Sequence, residues 1–102
     1  MARPRTKLQE ILEETIGNGN VYFQPPETLK MKYPCIRYVR AHISPTFADD
    51  LSYIERDEYE LTLIYKDPDS DLPRKLARLP LCRHDRAFES DNLHHEVFTI
   101  YW

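Results

Sequence analysis

Leu8, Ile11, Leu12, Thr15 and Ile16 fall on one stripe at helical spacing, and Gly17 follows them as the residue best suited to the left-handed conformation that ends a helix. The spacing predicts a helix over 6–16. Thr6-Lys7-Leu8-Gln9 fits a capping box at its start, with Thr6 accepting from the third helical N–H and Gln9 reaching back. Asn18-Gly19-Asn20 then turns the chain into Val21-Tyr22-Phe23, a short strand that Pro25-Pro26 prevents from continuing. Glu27 to Tyr33 reads as a loop.

From Pro34 the period changes to two. Cys35, Arg37, Val39, Ala41 and Ile43 alternate with Ile36, Tyr38, Arg40 and His42, until Ser44-Pro45 breaks the pattern. A second alternating run over 57–66 sets Tyr59, Leu61, Leu63 and Tyr65 on one side and Glu58, Glu60 and Thr62 on the other. If the two runs pair antiparallel, Thr46 to Arg56 becomes the tip of an extended hairpin carrying Phe47, Leu51, Tyr53 and Ile54, a mixture of apolar and acidic residues that suits docking. Lys66-Asp67-Pro68-Asp69 stops the second run. Ser70 or Asp71 caps a short helix over 71–79, with Pro73 in its first turn and Pro80 ending it. Leu81 to Phe88 is a strand, Glu89-Ser90-Asp91-Asn92 turns it back, and Leu93 to Trp102 is a last strand. The expected fold class is therefore α+β: a mostly antiparallel sheet of four to five strands with two helices packed against it, and a long β-hairpin loop at about 44–57.

With 102 residues the chain is a single domain over 1–102 with one core. No apolar run resembles a signal peptide or a membrane span, so an intracellular protein without a membrane partner is expected. Cys35 and Cys82 read as buried thiols in a reducing compartment. The net charge of −3 conceals a polarity: 49–71 holds nine acids against Arg56 and Lys66, whereas 72–88 holds five bases against Asp85. The two segments carry −7 and +4. That division argues against general nucleic-acid binding and suits a head-to-tail contact between copies. The expected contact pairs Asp49, Asp50, Glu55 and Asp57 with Arg74, Lys75 and Arg78, and Tyr53 is expected at a subunit or partner interface as well.

Candidate chemistry is sparse. Cys82, His84, His94 and His95, with Asp85, lie on two strands joined by a short turn, and their donor types suit zinc; yet no Cys-x-x-Cys or His-x-x-x-His spacing supports them, and alternation places His84 and Asp85 on opposite faces. Asn92-Leu93-His94-His95 hints at a His-Asn-His nuclease but is followed by a strand where that nuclease has a helix. Asp67-x-Asp69-x-Asp71 imitates a calcium loop, but Leu72 and Arg78 occupy the positions that need glycine and glutamate. Turn and cap use explains those aspartates better. There is no glycine-rich phosphate loop, since Gly17 and Gly19 are the only glycines. A small metal-binding or hydrolytic domain built on Cys82, His84, His94 and His95 is the alternative reading.

Val21-Tyr22-Phe23-Gln24-Pro25-Pro26-Glu27, Met31-Lys32-Tyr33-Pro34-Cys35-Ile36, Tyr59 through Leu63 with Lys66-Asp67-Pro68-Asp69-Ser70, Leu79-Pro80-Leu81-Cys82 and Ser90 through Phe98 form a pattern that resembles the small tail-terminator, or tail-completion, neck proteins of long non-contractile-tailed bacteriophages. The resemblance spans nearly the whole chain from Val21 onward and rests on structural residues. It implies a virion protein assembled in the host cytoplasm: a ring, typically of six copies, that closes the head-proximal end of the tail tube and meets the head-tail stopper or connector protein. It implies no reaction and no cofactor, and carries over no contact residue. Another neck or adaptor ring is the nearest variant of this expectation.

Overall fold

A computed structural model describes residues 4–26, 30–47 and 53–102, with the backbone alone for 42–47 and 53–56. The elements run α1 (Arg5–Ile16), β1 (Val21–Phe23), β2 (Cys35–Phe47), β3 (Tyr53–Tyr65), α2 (Leu72–Ala77), β4 (Cys82–Ser90) and β5 (Leu93–Tyr101). This is the expected α+β fold. The strands form one sheet in the order β1-β2-β3-β5-β4; β1 runs parallel to β2 and every other pairing is antiparallel.

α1 lays its predicted stripe on the sheet, burying Leu8, Leu12 and Ile16, and ends on Gly17 at φ 81°, whose N–H donates to Glu13 O at 2.9 Å. Its beginning differs from the expected capping box. Pro4 occupies the cap position, Thr6 is already helical, and no side chain caps the helix. Gln9 is drawn to the sheet instead: its Nε2 donates to Val21 O at 2.9 Å, and its Oε1 accepts from the Tyr38 hydroxyl at 2.5 Å. Arg5 Nη1 in turn donates to Tyr38 Oη at 2.9 Å. Capping would satisfy one exposed N–H, whereas this bridge satisfies a fully buried tyrosine, and burial raises the cost of leaving a polar group unpaired. Gln9→Ala should therefore cost about 1–3 kcal/mol, several times the effect of Thr6→Ala, as urea melts of the two variants would show.

The core lies between the helices and one face of the sheet. Ile36 and Tyr38 of β2, Leu61 and Leu63 of β3 and Phe98 of β5 form one buried cluster there with Leu8, Leu12 and Ile16 of α1 and Leu76 of α2. Tyr38 packs against Phe23 and Tyr59 at ring-centroid distances of 5.0 and 5.8 Å. α2 starts with Asp71 at its cap position and Pro73 in its first turn, as expected, but the Asp71 side chain makes no cap bond. Ser70 Oγ accepts from Leu72 N–H at 3.3 Å, and Asp67 Oδ1 accepts from Asp69 N–H at 3.0 Å, so these residues fold the corner. At the β4–β5 turn Asp91 and Asn92 both take positive φ, at 53° and 63°, as a two-residue hairpin of matching twist requires.

Pairing in the long hairpin runs further than the Ser44-Pro45 break suggests. The β2–β3 ladder continues through Pro45↔Glu55 to Phe47↔Tyr53, so most of the loop expected at about 44–57 is paired strand; 48–52 lie outside the described residues. A proline is tolerated there because β1 accompanies β2 only at 36–38, leaving Pro45 on an outer edge where its missing N–H breaks no ladder. On the other side β5 accompanies β3 from Tyr65 to Glu58, and Trp102 N–H adds a bond to Asp57 O at 2.8 Å. Beyond that point the hairpin is an arm of two strands with no third neighbour among the described residues. The arm stretches the molecule to 50 × 26 × 22 Å.

Candidate functional site

Among the described residues the sheet's second face carries no helix. Its strand register brings Arg37, Thr62, Val97 and Arg86 onto one rung that crosses β2, β3, β5 and β4. The rung before it is Cys35, Ile64, His95 and Phe88. Thr62 and Val97 are short, so the middle of the face is low, and a recess of about 480 Å³ opens over it. Pro25, Pro26 and Met31 form one bank, while Phe88 and His95, stacked at 4.8 Å, form part of the other. Phe88 is 46% exposed, among the most exposed large apolar side chains of the fold. Arg37 and Arg86 flank the recess, with Glu60 beside them.

The expected contact residues are placed unequally. Asp49 and Asp50 lie outside the described residues, as do the side chains of Tyr53 and Glu55, whose backbones belong to the arm. Asp57 is not a free surface acid. It is 8% exposed, its Oδ2 lies 3.3 Å from Arg40 Nη2, and it accepts from the Tyr59 hydroxyl. Arg74 and Lys75 are exposed on α2 and Arg78 at its C-terminal cap, and Lys75 reaches Asp71 at 3.6 Å. A pair as exposed as that one contributes little.

The zinc-type residues are not brought together. Cys82 packs against the core, and His84 turns to Glu96, with Nε2 at 3.0 Å from Oε1. His94 stacks on Tyr65 at 5.2 Å on the helix side, whereas His95 lies in the recess on the opposite face. Among the described residues no group of three or more His, Cys, Asp or Glu is placed to hold a metal ion. Asp85 sits in a β-bulge between His84 and Arg86 and takes part in a separate network, accepting from the Thr99 hydroxyl and meeting Arg83 at 2.8 Å. The Thr99 bond first, and then Arg83, hold its carboxyl below the usual range.

Two arrangements escaped the sequence reading. Arg37 and Arg86 share a rung only because β5 lies between β3 and β4, and alternation within a strand carries no information about strand order. Glu96, a carboxylate on the core side of β5, is satisfied by Tyr65 and His84; its signal was its place in step with Phe98 and Ile100. The Tyr65 hydroxyl donates to Glu96 Oε2 at 2.5 Å, and burial together with that bond pushes its pKa up to about 12.

Burial likewise pushes the Cys35 and Cys82 thiols up to about 11, so both stay protonated near neutrality and are poor nucleophiles. In all three groups the fold favours the neutral form. Their stabilisation is complete below the ordinary values of 9 for cysteine and 10 for tyrosine, and it is lost as pH rises through 11 and 12. The melting temperature should fall steeply between pH 9 and 12. Tyr65→Phe should flatten the upper part of that fall in circular-dichroism melts, and a wild-type melting temperature level across the window would contradict the assignment.

The described helices include none long and apolar enough to cross a membrane. Compared with family models, curated proteins and solved structures, the chain matches none.

Proposed function

We propose that this chain is a structural ring subunit of the tail-terminator type, which acts by shape and copy number at the head-proximal end of a phage tail tube. The observation that carries the reading is the paired arm, which leaves the sheet where β5 ends and projects from one end of a 50 Å molecule. A two-stranded ribbon alone in water is marginal, and its open edges invite another chain. Packing against a neighbour removes both problems. A recessed sheet face on the body of the same molecule gives the second, unlike surface that a head-to-tail contact needs, and such contacts close into rings when the rotation between copies allows. The resemblance of 21–98 to tail-terminator neck proteins supports the same assignment. The partners are then further copies of the chain, the tail tube protein and the head-tail stopper or connector protein, and the location is the virion neck.

Native mass spectrometry near physiological ionic strength tests the reading. The expected species is a closed hexamer of about 73 kDa, six times the 12.2 kDa chain, with a ring outline in negative stain. A chain that stays monomeric up to high micromolar concentration would overturn it.

A further inference from the structure

We propose that the recess on the helix-free face is the receiving site for the hairpin tip of a second copy, with Asp49 and Asp50 of the incoming arm meeting Arg37 and Arg86. This docking rests on the ring reading and names its contact.

The recess has the dimensions of a ribbon. Arg37 and Arg86 stand on the outer strands of a four-strand rung, three inter-strand spacings apart, about 14 Å. A two-stranded ribbon has backbones about 5 Å apart and packs about 10 Å above a sheet, so it lies between the arginines with its side chains reaching the floor. That floor is Thr62 and Val97, with Ile64 and the exposed Phe88 beside them. In the sequence Leu51 follows the acidic pair directly and Phe47 stands two positions before it, apolar residue types that suit such a floor. Arg37 and Arg86 are exposed, and Glu60 is the single carboxylate among the described lining residues, so the recess favours an acidic guest.

The molecule's own arm is excluded. Along β3 the recess lies at Thr62 and Ile64, while the arm runs from Asp57 to Tyr53, away from it. Nine residues of strand separate Thr62 from Tyr53, about 30 Å at 3.3 Å per residue. The guest is therefore another copy, bound head to tail. α2 is the poorer receiver of the acids: Lys75 is already beside Asp71, and the recess that Arg74 lines holds Glu96 and, among the described residues, no second arginine.

Sedimentation velocity on the full chain and three variants decides the matter, with circular dichroism to confirm folding. Arg37→Glu with Arg86→Glu should abolish the oligomer and leave the 12.2 kDa monomer, weakening association by at least about a hundredfold. Adding Asp49→Lys and Asp50→Lys to the same chain should restore it, because the reversed charges again complement one another. Arg74→Glu with Arg78→Glu should assemble like the wild type. A wild-type oligomer that ignores the first pair of changes, fails to return with the second, or is lost with the third overturns this docking and leaves the ring reading standing. A monomeric wild type overturns both.

Discussion

Replacing Trp102 by alanine should cost about 3–5 kcal/mol, a large fraction of the roughly 5–15 kcal/mol that holds a domain of this size together. The indole is 5% exposed and belongs to the core between α1 and the sheet. Its Nε1–H donates to Pro4 O at 2.9 Å, tying the start of α1 to the strand that precedes Trp102 in the chain. Its backbone N–H donates to Asp57 O, at the root of the arm. Truncation therefore opens a cavity, frees the uncapped end of α1 and leaves its carbonyl dependent on water. Trp102→Phe keeps most of the volume and loses the Nε1 bond, so it should cost about 1 kcal/mol from that bond. Chemical denaturation of the two variants measures the difference. Equal losses would show that the hydrogen bond, rather than the packed ring, carries the contribution.

Phe98→Ala should be comparably severe, at about 3–5 kcal/mol. Phe98 is fully buried on β5, faces Leu61 across the ladder, and offers its ring to the edge of His84 at 5.1 Å. The central strands cannot close over the gap, because β5 is hydrogen-bonded on both sides, to β3 and to β4. The lost wall also frees His84 from one of the two contacts that hold it, leaving Glu96. Thermal melts should show a fall of many degrees for Phe98→Ala and a small one for Phe98→Leu, which conserves most of the volume. If Phe98→Leu proved as damaging as the alanine variant, ring geometry at this site would matter more than volume.

Position by position, the elements were legible wherever local pattern and tertiary need agree. The stripe from Leu8 to Ile16 with Gly17 behind it, the alternation from Tyr59 to Tyr65, and the corner at Asp67 to Pro73 all require the same burial in isolation as in the fold. Where they compete, the tertiary partner prevails. Gln9 left the capping box because Tyr38 needed it, and Ser44-Pro45 stayed in a strand because the arm has an open edge at Pro45. Asp57 read as a surface acid among its acidic neighbours, but Arg40 and Tyr59 enclose it, a pairing set by which residues face one another across the β2–β3 ladder.

The candidate site divides in the same way. Composition along the chain determined that acid and base are segregated, since charge is a property of each residue alone and survives any fold. The sequence by itself also determined the α+β class, through periods of 3.6 and two that mark amphipathic helices beside half-buried strands. Only the tertiary structure decided which bases form a site. Arg37 belongs to a segment of the chain that the basic run at 72–88 does not include, yet strand order sets it on a rung with Arg86 and leaves a recess between them. Strand order is decided by long-range packing of whole faces, which no local period records, and so the rung of Arg37 and Arg86 exists only once all five strands have assembled.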